Sequence, residues 1–369
     1  MNRANANAHV NVNVDGGRGG ANLPALRGHN EALLLDLLRA AGPSGLGRAE
    51  LAARTGLTPQ AVSKITARLA AEGLVAEAGR DASTGGKPRT RLRLVPGARY
   101  AVGVHLDRDE LRAVRVDLAG GVVGRWSGPL DFAAGPEAVA EAAVRAVGRV
   151  SGGLEAPRLL GVGVAAPGPL DWRTGVPGRV TGFPEWEGFP LREVLAGRLG
   201  VAVVVDKDTN AGVAAAGPGG PGPGAVVYLH FGTGLGAGLR LDGAVYRGAR
   251  SGAGEFGHQV LLLDGPPCRC GGRGCLEVLC LEAVARGDLA GAARVLGEGA
   301  ANLLALLDVD RVLLGGRVVA GAPEVFVRGV REVLAARTLT ADPPLVGLAP
   351  AGVAEGAAEL ALGPLFGRG

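Results

Sequence analysis

The segment Gly254–Glu277, with the sequence GEFGHQVLLLDGPPCRCGGRGCLE, gathers the most chemically informative residues of this 369-residue chain. It contains three of the four cysteines, one of the five histidines and an acidic residue near each end. One imidazole and three thiols within eighteen residues form a complete tetrahedral ligand set, of the closed kind found in structural zinc sites. A set of free thiols is the alternative, and the spacing of the ligands favours zinc. The predicted zinc ligands are His258, Cys268, Cys270 and Cys275.

The charge of the chain is unevenly distributed. The whole chain contains 39 Lys and Arg residues and 35 Asp and Glu residues, which gives a net charge of +4. Residues 23–99 carry 12 basic and 6 acidic residues, a net +6, whereas residues 100–369 carry 25 and 28, a net −3. A basic N-terminal module on a mildly acidic body predicts binding of nucleic acid at one end. A solvated basic surface is the alternative interpretation.

The remaining bulk features indicate a cytoplasmic protein. Four clustered cysteines do not make a disulfide framework for a chain of this length, and no apolar run is long enough to span a membrane. Residues 1–22 are rich in Asn and Gly and lack the apolar core of a secretory signal, so we expect a disordered tail there. The length allows two or three domains.

Residues 23–97 predict a winged helix-turn-helix domain. Helices are expected at 30–41, 48–54 and 59–71, with a tight turn between the second and third. Thr58 suits the N-cap of the third helix, and Pro59 suits its first position. The face opposite the apolar stripe of this helix is small, polar and basic, as in a helix that enters the major groove, although an ordinary surface face looks similar. The predicted DNA-contacting residues here are Thr58, Gln60, Ser63, Lys64 and Arg68.

A basic two-stranded ribbon is expected after the third helix. Residues 74–75 and 91–95 alternate in polarity, and Gly85 and Gly86 make the loop between them flexible. Lys87 and Arg89 lie in this loop, where they suit contacts with phosphates or the minor groove. A solvated charged loop is the alternative.

The rest of the chain predicts an α/β body. Strands are expected at 100–104, 111–117, 159–164, 201–205, 225–230 and 312–314, with helices at 137–150 and 191–198. The turn Gly232–Gly238 has the sequence GTGLGAG, which lets a backbone approach a phosphate closely. Such glycines also occur for purely steric reasons.

Together these motifs resemble the ROK family of repressors, open reading frames and sugar kinases. The resemblance rests on ExGH, present as Glu255–His258, and on CxCGxxGCxE, present as Cys268–Glu277. It covers nearly the whole chain, and the winged helix-turn-helix places the chain in the regulator branch. It implies that residues 98–369 adopt the two-lobed, actin-like or ribonuclease-H-like sugar-kinase fold, including a zinc loop at 254–277.

The resemblance also implies roles for single residues. The residues implied to bind sugar are Lys207, Asp208, Glu255, His258 and Glu277. Asp208 matches the catalytic general base, a role it has only if kinase activity is retained. Gly232, Thr233, Gly234 and Gly236 match the second phosphate loop. Alternatives stay open: the two glutamates could instead hold the zinc ligands, Asp208 could be a strand-end acid, and Lys207 could pair with Asp208.

The departures from the family pattern favour a regulator over an enzyme. In the kinases the first phosphate loop is an acid followed by a Gly-Gly-Thr type turn. Here His105 replaces the acid, and Asp107, Arg108 and Asp109 replace the residues of the turn, which we expect to be solvated. Acids there would repel a triphosphate, so ATP-dependent chemistry is expected to be lost. The segment 278–311 is also short for the family.

The function expected from the sequence is therefore a sugar-responsive transcriptional regulator, a repressor. It would bind a double-stranded DNA operator as a homodimer or dimer of dimers, and its body would bind a sugar or sugar phosphate. The alternative is an ATP-dependent kinase of a hexose or an N-acyl hexosamine.

Overall fold

The structure, a computed structural model, describes residues 23–80, 90–154, 158–216, 224–337 and 342–368. The predicted disordered tail at 1–22 and the predicted wing residues Lys87 and Arg89 lie outside these ranges. Within them, no helix combines the length and apolar composition that a membrane span requires.

The N-terminal module consists of three helices and a small antiparallel sheet, which confirms the predicted winged helix-turn-helix. Its elements are α1 (Leu23–Ala41), β1 (Leu46–Gly47), α2 (Arg48–Thr55), α3 (Pro59–Ala71), β2 (Val75–Arg80) and β3 (Thr90–Leu94). Gly56, with φ at 70°, ends α2 in the left-handed conformation. The Thr58 hydroxyl accepts a hydrogen bond from the backbone N–H of Ala61 at 3.2 Å and so caps α3. β3 lies between β1 and β2, so the predicted ribbon gains a third, two-residue strand.

The first lobe of the body is built on a five-stranded sheet of order β10-β7-β4-β5-β6. Strands β4, β7 and β10 are parallel, and β5 and β6 are antiparallel to their neighbours. The carboxyl ends of the three parallel strands therefore meet along one edge. The elements of this lobe are β4 (Tyr100–Leu106), β5 (Glu110–Asp117), β6 (Val122–Pro129), α4 (Pro136–Ser151), β7 (Leu159–Ala166), β8 (Leu170–Asp171), β9 (Val176–Pro177), α5 (Leu191–Leu199) and β10 (Val203–Lys207).

The second lobe repeats this design with a sheet of order β13-β12-β11-β14-β15, in which β11, β14 and β15 are parallel. Its elements, with the connecting helix α6 before it and the final helix α11 after it, are α6 (Asp208–Ala214), β11 (Val226–Phe231), β12 (Leu235–Leu241), β13 (Ala244–Val245), α7 (Leu276–Ala285), α8 (Leu289–Leu307), β14 (Arg311–Gly315), α9 (Arg317–Gly321), α10 (Pro323–Arg337), β15 (Leu345–Leu348) and α11 (Val353–Leu362). The predicted two-lobed fold is confirmed.

Helices α6 and α11 join the lobes through very close backbone contacts. α11 packs against β4, β7 and α6, and α6 also packs against β11 and β12 of the second lobe. A Cβ on Gly103 of β4 would collide with the carbonyl oxygen of Ala354 in α11. A Cβ on Gly356 would collide in the same way with the carbonyl oxygen of Ala211 in α6. These glycines allow the elements to touch without intervening side chains.

The winged module shares a hydrophobic core with the body. Leu38 of α1 belongs to the same buried cluster as Leu362, the last residue of α11, and Phe366, which follows that helix. Arg39 forms an ion pair with Glu359 of α11, with Nη1 2.9 Å from Oε2. The predicted domain boundary at residues 97 and 98 stays a prediction, but the packing is continuous across it.

Candidate functional site

The four predicted metal ligands come together in one cluster. Their ligand atoms all lie within 4.8 Å of one another. Nδ1 of His258 is 3.7 Å from Sγ of Cys268, and the Sγ atoms of Cys270 and Cys275 are also 3.7 Å apart. Tetrahedral zinc with Zn–S bonds of about 2.3 Å would place two sulfur ligands about 3.8 Å apart. The cluster therefore could hold a zinc ion, and the described ranges contain no second group of this kind.

The loop that carries the cluster is shaped by glycine turns and short backbone hydrogen bonds. Gly271 and Gly274 have φ of 95° and 63°, which other residues adopt only with strain. The backbone N–H of Gly272 donates to Sγ of Cys270 at 3.5 Å and lowers the pKa of that thiol, which favours the thiolate that binds metals. Cys280 is fully buried in α7, and burial raises its pKa to about 12, as fits the predicted core thiol.

The two glutamates beside the cluster have different surroundings. Glu277, in the first turn of α7, accepts a hydrogen bond from the backbone N–H of Leu235 at 2.8 Å, so it ties the metal loop to the glycine turn before β12. Glu255 is about half-exposed, and its Oε1 is 3.2 Å from Nζ of Lys207. Glu255 is thus the more accessible of the two acids predicted to bind sugar.

Lys207 crosses from the first lobe to the second. It is the last residue of β10, is buried, and also donates to the carbonyl oxygen of Ala253. The suggested pairing of Lys207 with Asp208 is therefore wrong, because the end of β10 directs the ammonium group across the cleft to Glu255 instead. This ion pair neutralises one of the acids predicted to bind sugar.

Asp208 begins α6 at the carboxyl end of the first-lobe sheet. Its Oδ1 accepts the backbone N–H of Thr209 at 2.6 Å. Burial raises the pKa of this carboxyl, while the nearby His230 acts in the opposite direction. A partly buried acid with a raised pKa suits proton exchange with a hydroxyl group.

The turn between β4 and β5 is solvated at Asp109, as predicted, but Asp107 is mostly buried. Asp107 accepts a hydrogen bond from the Thr233 hydroxyl at 3.0 Å, with Thr233 in the glycine turn of the second lobe. Arg317 contacts both acids of the turn: Nη2 lies 3.0 Å from Oδ2 of Asp107, and Nη1 lies 2.6 Å from Oδ2 of Asp109. The loops expected to bind phosphates are therefore joined to each other across the cleft. Arg317 was missed from the sequence, where the preceding Gly315-Gly316 was the available signal.

Glycines of the second-lobe turn make room for these contacts. A Cβ on Gly232 would lie 2.8 Å from Nε2 of His230, and one on Gly234 would lie 2.9 Å from Oε2 of Glu277. Gly236 similarly faces the Thr209 methyl group at 2.8 Å. The predicted phosphate-loop residues thus form one tight turn, which also has a steric need for glycine.

The predicted DNA-contacting face of α3 is exposed on the winged module. The side chains of Gln60, Ser63 and Lys64 lie on this face. Arg68 is also exposed but forms an ion pair with Glu31 of α1. The Thr58 hydroxyl, as described, serves as a helix cap. These positions suit contacts with DNA, which remain a prediction.

Family models match two separate parts of the chain. Residues 133–289 match the ROK family, and residues 27–82 match the MarR family. The xylose repressor of Bacillus spizizenii is 25% identical over 257 residues, which cover 69% of this chain and 66% of the repressor. The match thus spans slightly less than two thirds of that relative.

Two solved structures are similar to the chain. A ROK family transcriptional regulator, described as a homologue of the Escherichia coli MLC protein, has a TM-score of 0.76 at 21% identity, covering 92% of this chain and 97% of that one. The ROK hexokinase of Thermus thermophilus has a TM-score of 0.56 at 31% identity, covering 70% of this chain and 97% of that one. The first likeness includes the N-terminal module in the shared fold.

Proposed function

Because the chain belongs to the ROK family, we propose that it is a transcriptional repressor that binds operator DNA through α3 and a sugar or sugar phosphate through the cleft of its body. The observation that carries this proposal is the winged module itself, which exposes a polar and basic α3 face and shares a core with a sugar-kinase-like body. A homodimer would place two such helices on one two-fold operator.

DNA binding is tested with the full chain and an operator selected from a random duplex library. We expect selection to enrich an inverted repeat, and Lys64→Ala to weaken binding about tenfold in fluorescence anisotropy. Arg145→Ala removes an exposed charge from α4 of the body and serves as the control, with unchanged affinity expected. Failure to enrich any sequence, or equal binding by Lys64→Ala, would argue against a DNA-binding repressor.

The cluster of His258 and three cysteines would hold a structural zinc ion in this proposal. Zinc would fix the loop that carries Glu255 and the start of α7 that carries Glu277. Carboxylates suit a polyol because its O–H donors need directed acceptors. We propose that sugar hydroxyls compete with Lys207 for Glu255, which would couple occupancy of the cleft to the contact between the lobes.

Sugar binding is tested by thermal shift against xylose, glucose, N-acetylglucosamine and their phosphate esters. A ligand at 100 times its Kd adds about 2.7 kcal/mol to the free energy of unfolding. We expect Glu255→Gln to lose the shift and Glu141→Gln, on the exposed surface of α4, to keep it. A shift that Glu255→Gln retains would place the ligand elsewhere.

An ATP-dependent sugar kinase is the second candidate, favoured by the partly buried Asp208 with its raised pKa. The contacts of Arg317 with Asp107 and Asp109 oppose it, because they occupy the loops that would face a nucleotide. A coupled phosphorylation assay across hexoses, with Asp208→Asn as control, distinguishes the two: turnover that is lost in Asp208→Asn would establish the kinase.

A further inference from the structure

The contact between the two loops has the chemistry of an anion held in a binding site. A planar guanidinium from Arg317 and a hydroxyl from Thr233 both donate to carboxylate oxygens of the β4–β5 turn. Arginine binds carboxylate and phosphate with the same paired N–H donors, and a glycine turn lets small anions approach the backbone. The donors belong to the second lobe, whereas Asp107 and Asp109 belong to the first.

The acids are held as charged groups in this arrangement. The hydrogen bond from Arg317 is the main cause that lowers the pKa of Asp109. Burial alone would raise the pKa of Asp107, but the N–H of Arg108, the charge of Arg317 and the hydroxyl of Thr233 lower it. Two carboxylates facing one guanidinium and one hydroxyl therefore resemble the terminal oxygens of a bound phosphate.

A buried, unpaired nitrogen lies behind the same turn. His105, at the end of β4, is 6% exposed, and within the described ranges its Nε2 has no hydrogen-bond partner. Asp107 and Arg317 are both near enough to influence its titration. A ring nitrogen whose hydrogen-bonding capacity is unused therefore lies close to the two acids.

We propose that Thr233 and Arg317 form an anion site for phosphate-type ligands, which Asp107 and Asp109 of the same chain occupy as internal phosphate mimics. The loss of nucleotide binding expected from the sequence would then follow from occupancy of the site and not from loss of its donors. The two acids also join the lobes, since their partners Thr233 and Arg317 belong to the second lobe.

The test is isothermal titration of the full chain with inorganic pyrophosphate as the probe. We expect wild type to show no binding at millimolar pyrophosphate. Asp107→Ser/Asp109→Ser removes the internal carboxylates and should bind at least tenfold more tightly. Adding Arg317→Met to this variant should return the affinity to that of wild type, because the guanidinium is the main donor.

Two further variants keep the outcome decisive. Glu137→Gln/Glu141→Gln removes two acids from the same lobe but away from the turn, and it should gain no affinity for pyrophosphate. If the double serine variant does not fold, Asp109→Ser alone removes the more exposed acid and should show a partial gain.

The proposal is overturned if wild type binds pyrophosphate as well as the serine variant, if the folded serine variants gain nothing, or if the gain survives Arg317→Met. The measurement uses neither DNA nor sugar, so a negative result here leaves the repressor proposal standing.

Discussion

At the scale of single residues, His105 shows how burial fixes a charge state. Burial, assisted by the nearby His230, lowers the pKa of His105 to about 3, although Asp107 acts in the opposite direction. The imidazole is therefore neutral in the folded protein at neutral pH. In the unfolded chain it would take up a proton near its ordinary pKa of about 6.5.

This difference predicts a pH dependence of stability. The pKa of His105 is lower in the folded protein than in the unfolded chain. Its contribution to the free energy of unfolding is therefore fully present above pH 6.5 and is lost as the pH falls toward 3. The loss is about 1.4 kcal/mol per pH unit in that window. When the pH is lowered from 6.5 to 5, we expect the free energy of unfolding to fall by about 2 kcal/mol less in His105→Leu than in wild type. Urea unfolding at the two pH values measures this difference. An equal fall in the free energy of unfolding of wild type and His105→Leu would contradict a neutral, buried His105.

His258 carries a second prediction at this scale. Replacing it with Ala removes one of four ligands, so we expect metal analysis to find about one zinc per chain in wild type and almost none in His258→Ala. The sugar-induced thermal shift should disappear with the zinc. Cys280→Ala, which removes the one cysteine outside the cluster, should keep both. A zinc-free protein with a normal sugar-induced thermal shift would show that sugar binding does not depend on the metal.

At the scale of secondary-structure elements, two helical glycines are expected to respond to alanine in opposite ways. A Cβ at Gly356 in α11 would strike the backbone of α6, and such overpacking costs about 1–3 kcal/mol. Gly197 in α5 has nothing within 4 Å of an added Cβ, so Gly197→Ala should stabilise by about 0.5–1 kcal/mol. Chemical denaturation measures both. A neutral Gly356→Ala would show that the two helices are free to move apart.

Elements with local signals were predictable from the sequence, and contacts between distant elements were not. The bounds of α3 were correct because Thr58 and Pro59 mark its start and its apolar stripe is regular. The clustering of the four predicted metal ligands was also correct, since they lie within one loop. Arg317 and Asp107 are 210 residues apart, and no local pattern links them. The partner of Lys207 was wrong because nearness along the chain favoured Asp208 over Glu255, which the fold brings closer.

At the scale of the whole molecule, the pair between Arg39 and Glu359 fastens the winged module to the body. The side chains are 6% and 17% exposed, and Arg39 also lies over the ring of Phe366 at 4.7 Å. Since α11 contacts α6, which begins with Asp208 in the cleft, this pair lies where a signal from the body would reach α1.

Breaking this pair should loosen the module. We expect Arg39→Gln to cost about 3 kcal/mol, because it leaves Glu359 without its partner. Hydrogen exchange of amides in α1–α3 should accelerate, and the effect of a bound sugar on operator binding should weaken even where operator affinity persists. Arg54→Gln breaks an exposed pair with Glu50 and should cost less than about 0.5 kcal/mol. Equal effects of the two variants would show that the interface does not depend on the buried pair.

The shared core also constrains how the protein is made. Arg39 leaves the ribosome 320 residues before Glu359, a delay of roughly 16–64 s at typical rates of synthesis. During that time the apolar side of α1 has no partner from α11. A nascent or prematurely terminated chain would therefore lack these contacts, and its α1 would be held less firmly than in the finished chain. Under the proposed function, incomplete chains would then bind the operator less firmly than finished ones.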